Sequence, residues 1–168
     1  MGFFFLFNLV VMPSGQKFMG GRAHEVGSID LTFGASPASL FDQVEAYGPQ
    51  GRVVYRIFTL TADVAYPINY SLFMGLAITY TFRHIFPEKS WLQKLNLVPF
   101  GALLFDVLEN IGVASLLTAY PQRFIWLAGY TVIMNFIKWI LAGTSTLLVV
   151  FGLVGWWVVS IKNRQKVG

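Results

Sequence analysis

From Phe124 to Ile161 the chain runs for 38 residues with one charged side chain, Lys138. Besides Lys138, Asn135 and the AGTST stretch at 142–146 are its main polar interruptions. As one α-helix this run would be about 57 Å long, nearly twice the ~30 Å thickness of a bilayer's hydrocarbon core. The run therefore forms either one long helix that projects from a membrane or two spans that meet near Gly143.

The composition agrees with a membrane protein. Hydrophobic residues make up 55% of the chain and charged residues 12%, whereas soluble domains have about 25% charged residues. The absence of cysteine excludes disulfides, iron–sulfur ligation and cysteine zinc sites. The net charge of +4 is small and spread along the chain, which argues against a nucleic-acid partner.

Basic residues indicate the orientation and favour one long final helix. Short loops rich in lysine and arginine stay on the cytoplasmic side. Two groups of basic residues flank apolar runs: Arg83, Lys89 and Lys94 in one, and Lys162, Arg164 and Lys166 at the C-terminus. A single long helix brings both groups to the same side. We therefore predict an all-α, integral membrane four-helix bundle, multi-pass, with a cytoplasmic C-terminus.

The predicted bundle is one membrane domain over residues 1–168, with five parts. These are a short or truncated first helix at 1–12, an extracytoplasmic loop and helix at 13–65, and spans at 66–86, 95–119 and 124–161.

Local signals predict three features of these parts. Ser36 is a natural N-cap and Pro37 suits the first helical position, so a short amphipathic helix should start there. SIDLTF at 28–33 predicts a short extended segment. Pro67 should kink or interrupt the helix that contains it.

The segment FDVLENIG, residues 105–112, places polar groups inside a very apolar region. On a helix, Asp106, Glu109 and Asn110 stand at i, i+3 and i+4 and share one face. A charged group facing lipid is costly, so this face should point into the bundle. Lys138 is the obvious counter-charge, and Asn135 lies on the same side one turn earlier.

Asp63, near the start of the second span, is a third acid that could pair with Lys138. Counting helical rise from the YPQR turn puts Asp106 and Lys138 at similar depth, about 22 and 24 Å. Counting from the cytoplasmic side instead favours Asp63 beside Lys138. The first count is the shorter extrapolation, so we favour Asp106.

Two functions fit this cluster. The first is a non-catalytic accessory or assembly subunit of a membrane complex, in which the cluster fixes helix register and other membrane subunits are the partners. The second is a protein or small enzyme for a lipophilic ligand, with Asp106 and Glu109 exchanging protons, Lys138 as counter-ion and Asn110 orienting the ligand. We assign no catalytic residue.

We predict neither a metal nor a cofactor, since His24 and His84 are isolated and no nucleotide-binding glycine loop is present. A lipid, or an apolar pigment or quinone-like molecule, remains open as a ligand.

The order of motifs resembles a group of small, uncharacterised prokaryotic multi-pass membrane proteins. The shared pattern contains DLTFGASP at 30–37, YGPQGRVVY at 47–55 and FDVLEN at 105–110, together with Asp63, two Tyr-Pro pairs and Lys138. It covers about residues 29–140. The group has no activity to carry over, so the resemblance implies only a topology and a location in a prokaryotic plasma membrane.

Overall fold

The computed structural model describes residues 27–165, and within that range every regular element is helical. The predictions for residues 1–12 and for His24 lie outside it. The α-helices are α1 (Pro37–Ala46), α2 (Gly48–Leu60), α3 (Ala62–Ile85), α4 (Val98–Ala119) and α5 (Ile125–Gln165). Two 3-10 segments accompany them, Ile29–Leu31 and Trp91–Leu97.

The helix α5 is continuous over 41 residues. This confirms one long helix and rules out a break near Gly143. The polar stretch does not interrupt the helix because its hydroxyl groups hydrogen-bond to backbone carbonyls of the same helix. Thr144, Ser145 and Thr146 each donate a hydrogen bond to the carbonyl four residues earlier, at 2.7–3.0 Å.

The three long helices α3, α4 and α5 pack on one another to form the bundle. Small residues allow the close approaches: Gly152 of α5 lies against Thr81 of α3, and Gly112 of α4 lies against Thr131 of α5. Because the chain reverses twice between them, α3 and α5 run in the same direction and α4 runs against both.

Helices α1 and α2 cover one end of this bundle. The hydroxyl of Ser36 accepts from the Ser39 backbone N–H and the Ser39 side chain accepts in return, so α1 starts at the predicted cap. Gly48, at φ +66°, then lets α2 follow almost at once. The buried face of α1 meets the end of α4 and the start of α5 in a shared apolar core. It includes Leu40, Val44, Tyr55, Val113, Leu116, Leu127 and Ala128.

One local prediction is wrong, and for a second the structure excludes one of its two alternatives. Residues 28–33 are not extended, because Ile29–Leu31 forms a 3-10 turn whose Ile29 N–H is bound by the buried Tyr55 hydroxyl at 2.9 Å. The helical chain breaks at Thr61, at φ −123° and ψ −85°, and not at Pro67. Pro67 falls in the second turn of α3, where its missing N–H removes one hydrogen bond but does not end the helix.

Two helical stretches are long and apolar enough to cross a membrane. They are Trp91–Ala119, with mean hydropathy 1.6, and Ile125–Asn163, with mean hydropathy 1.9. In the most apolar part of the second stretch, only 11% of the segment is buried against the rest of the chain. The predicted span at 66–86 lies in α3, which is not among these stretches.

Candidate functional site

The polar residues of FDVLENIG form one buried face of α4. Asp106, Glu109 and Asn110 are 6%, 0% and 1% exposed. Across from them, α5 contributes Asn135 and Lys138, each 5% exposed. The residues that the sequence grouped by helical spacing therefore lie together between α4 and α5.

Lys138 lies closest to Glu109, contrary to our depth estimate. Its Nζ is 2.6 Å from Glu109 Oε2 and 3.9 Å from Asp106 Oδ1. Counting helical rise locates Cα atoms, but helical side chains lean toward the N-terminus of their own helix. Since α4 and α5 are antiparallel, Lys138 and Glu109 lean toward each other and close the difference in height.

Asn135 completes the environment of Glu109. Its Nδ2 donates to Glu109 Oε1 at 2.9 Å and to the backbone carbonyl of Asp30 at 2.9 Å. One carboxylate oxygen thus faces an ammonium and the other faces an amide. Hydrogen bonds of this kind are what allow a buried charge to remain in a helical interior.

Asp30, for which the sequence predicted no role, is central to the site. Its carbonyl accepts from Asn135, from Lys138 Nζ at 3.2 Å and from Trp139 Nε1 at 3.1 Å. The turn Ile29–Leu31 is thereby fixed against α5. Asp30 belongs to the DLTFGASP motif of the resemblance. Its role here is that of a backbone carbonyl, which every residue has, so residue type could not predict it.

The Asp30 side chain is held from the other side by α2. Its Oδ1 accepts from the Ser28 hydroxyl and from the Tyr55 hydroxyl, which is 3.3 Å away. Burial raises the pKa of Tyr55 well above its usual value, and the nearby Asp30 carboxylate raises it further. Tyr55 therefore remains protonated at physiological pH, where it can donate to Asp30.

A cavity of about 350 Å³ lies beside this cluster, between α3 and α5. One part of its wall is charged and contains Asp30, Asp63, Asp106 and Lys138. The remainder also includes the hydroxyl residues Ser28 and Thr146 but is mostly aromatic and apolar, with Leu31, Phe58, Tyr66, Tyr70, Met74, Trp139 and Ala142. Small-molecule sites commonly combine an apolar wall with a few polar groups in this way.

Asp63 stands apart from the paired residues. It is 3% exposed and lines the cavity. Its Oδ2 has no hydrogen-bond donor among the described residues, and Asp63 is beyond ion-pair distance of Lys138. Lys138 and Asp63 were an alternative pair in the sequence analysis, and they do not form one.

The other predicted residues lie away from the cavity. Glu109 and Asn135 sit behind Lys138, and Asn110 has a buried amide with no partner in the described part of the chain. Asn110 is thus not placed to orient a ligand there. His84 is exposed near the far end of α3, where its ring lies against Tyr80 and Trp156.

Comparison with known protein families, characterised proteins and solved structures gives no match for this chain. In residues 27–165 there is also no group of three or more His, Cys, Asp or Glu side chains arranged to hold a metal ion. The geometry consists of a buried ion pair with fixed partners and, next to it, a cavity with unpaired carboxylate oxygen. Such a site can bind a polar head group and exchange a proton with it.

Proposed function

We propose that this chain is a multi-pass integral membrane protein that binds an amphiphilic small molecule in the cavity between α3 and α5. The observation that carries the proposal is the cavity of about 350 Å³, charged at one end and apolar at the other. Its volume falls in the range of about 300–1,000 Å³ typical of small-molecule sites.

The proposed membrane position follows from α5. Measured up from Ile161, Lys138 is about 35 Å away along the helix axis, so it would lie at the outer edge of a ~30 Å hydrocarbon core. The apolar part of α5 below it exposes large side chains, among them Leu147, Phe151 and Trp157. With the C-terminal lysines on the cytoplasmic side of a prokaryotic plasma membrane, α1 and α2 would cover the outer end.

The polarity of the cavity changes along this axis. On α3 the wall passes from Asp63 through Tyr70 to Met74, and on α5 from Lys138 to Ala142. Because α3 and α5 run in the same direction, the charged residues lie at the outer end on both helices. An amphiphile would therefore place its head beside the charged residues and its tail toward the bilayer.

The ion pair supports binding over covalent catalysis. Lys138 already contacts Glu109 and the Asp30 carbonyl, so its nitrogen is engaged with two acceptors of the chain itself and is not free to attack a ligand. Asp106 accepts a long hydrogen bond, 3.4 Å, from the Tyr70 hydroxyl and lines the cavity wall. We therefore propose a binding protein, with no catalytic residue assigned.

The test is a variant that fills the cavity. Ala142→Phe puts an aromatic ring into the cavity wall, while Thr144→Phe adds a ring on the exposed side of α5 as the matched control. Native mass spectrometry of protein extracted mildly from its own membranes should find a retained small molecule on wild type and on Thr144→Phe, but not on Ala142→Phe. Equal retention by all three proteins, or none by wild type, would contradict a ligand in this cavity.

A second function, accessory subunit of a membrane complex, is favoured by a different observation. Ile125 and Trp126 are 73% and 71% exposed at the start of α5. Trp126 lies about 18 Å above Lys138 along the axis, hence outside the proposed membrane. Exposed apolar residues in water commonly mark a protein contact.

This second candidate is tested in the same mass spectra. A subunit should carry a stoichiometric protein partner, and Trp126→Gln should release it, whereas Trp157→Gln in the lipid-facing part should not. A wild-type chain that is always extracted alone would exclude the accessory role.

A further inference from the structure

We infer that the polar head of the bound amphiphile is a primary ammonium group and that Asp63 is the residue that binds it. This inference names the ligand class of the proposed binding function and rests on that function.

The first argument is the balance of buried charge. Four carboxylates surround or adjoin the cavity, those of Asp30, Asp63, Asp106 and Glu109, all at most 8% exposed. Lys138 is the single buried cation beside them in the described part of the chain. Even with one or two acids protonated, negative charge remains in excess, and a ligand cation lowers the cost of burying it.

The second argument is that the charge of Lys138 is directed to partners other than Asp63. Its ammonium carries three donors. It contacts Glu109 at 2.6 Å, the Asp30 carbonyl at 3.2 Å and Asp106 at 3.9 Å. The charge of Lys138 is thus directed to α4 and to the 3-10 turn, away from α3.

The third argument is the state of Asp63 itself. A buried carboxylate oxygen without a donor has lost its hydration and has no hydrogen bond to replace it, which is energetically costly. Asp63 Oδ2 is such an atom, and it belongs to a residue of the cavity wall. A ligand that brings N–H donors to this point would satisfy it, and a carboxylate ligand would be repelled.

Asp106 gives the ammonium a second contact. Its Oδ1 is at the long distance of 3.9 Å from Lys138, and its Oδ2 receives only the 3.4 Å hydrogen bond from Tyr70. Because Asp63 and Asp106 line the same cavity, a primary ammonium, which carries three donors, can approach Asp106 as well as Asp63. Its alkyl tail would then lie along Met74 and Ala142, at the apolar end.

The experiment compares three probes with one tail and different heads: decylamine, 1-decanol and decanoate. Each is titrated onto the full chain in phosphatidylcholine nanodiscs, and occupancy is measured by native mass spectrometry. Wild type should bind decylamine in preference to 1-decanol and should not bind decanoate. Asp63→Asn should weaken decylamine binding about tenfold or more and leave 1-decanol binding nearly unchanged. Asp42→Asn, the same change on the exposed side of α1, is the control.

The outcomes separate this inference from the proposed function. If 1-decanol or decanoate binds best and Ala142→Phe blocks it, the cavity is a ligand site but the ammonium assignment is overturned. Unchanged decylamine binding in Asp63→Asn overturns the role of Asp63. If every probe binds equally to wild type and Ala142→Phe, both this inference and the proposed function are overturned. The wild-type ranking of the three heads needs no variant, so poor folding of Asp63→Asn would not leave the inference untested.

Discussion

At the residue scale, Lys138 is the charge on which the buried cluster depends. Removing one partner of a buried ion pair leaves the other charge uncompensated, which typically costs about 3–5 kcal/mol. We expect Lys138→Met to lower the free energy of unfolding by that amount, because Glu109 and Asp106 would lose their counter-ion. Denaturant titration of the purified protein in mixed micelles measures the change.

Two comparisons make this prediction specific. In Lys138→Met/Glu109→Gln the uncompensated carboxylate is gone, so part of the lost stability should return. Arg123 and Glu45 form a pair at the same 2.6 Å distance, but their side chains are 53% and 54% exposed. Glu45→Gln should therefore cost at most about 1 kcal/mol. Equal losses in Lys138→Met and Glu45→Gln would show that burial does not set the strength of these pairs.

Most of the buried cluster could be predicted from the sequence, because charged and polar residues in an apolar region identify its members. Helical spacing placed Asp106 and Glu109 on one face, and charge pointed to Lys138 across the helix interface. Asp30 could not be found in the same way, because three donors meet at its backbone carbonyl. The preference of Lys138 for Glu109 also depends on side-chain direction, which a count of helical rise does not include.

At the scale of helices, the close contact of α4 with α5 depends on Gly112. A Cβ at this position would fall on the Thr131 hydroxyl, whose oxygen is engaged with the Leu127 carbonyl. We expect Gly112→Val to push the helices apart and to lower the free energy of unfolding by about 1–3 kcal/mol. The same denaturant titration measures it.

Gly143→Val is the matched control for this contact. Gly143 lies on α5 with nothing within 4 Å of an added Cβ, so the change should be close to neutral. If Gly143→Val destabilises the chain as much as Gly112→Val, the cost comes from the β-branched residue in a helix and not from helix packing.

Some helix boundaries could be predicted from the sequence pattern, and others could not. The apolar run of α5 and the cap at Ser36 are properties of neighbouring residues, and the sequence predicted both. The turn Ile29–Leu31 depends on a contact between distant parts of the chain, that of Tyr55 with Ile29. The break at Thr61 is accompanied by local hydrogen bonds from its hydroxyl to the carbonyls of Ile57 and Phe58, which residue type alone did not predict. Local propensity favoured an extended SIDLTF, and the contact with Tyr55 overrode it.

At the scale of the whole molecule, one continuous α5 has a consequence for orientation. Its two ends must lie on opposite sides of any membrane that it crosses, whereas two spans meeting near Gly143 would return the C-terminus to the starting side. The turn at 120–123 joins α4 to α5 next to α1 and α2, so these helices and the turn share one side.

The chain contains no cysteine, which allows this orientation to be measured with single substitutions. Gln122→Cys marks the turn between α4 and α5, and Asn163→Cys marks the last turn of α5; both positions are exposed. In intact cells a membrane-impermeant maleimide should label the first and not the second, and permeabilised cells should allow both. Because Lys162, Arg164 and Lys166 lie beside Asn163, this orientation is also the one that keeps the basic residues in the cytoplasm. Labelling of both positions from outside would mean that α5 does not cross the membrane. The cavity between α3 and α5 would then have no contact with a lipid phase from which its apolar wall could take a ligand.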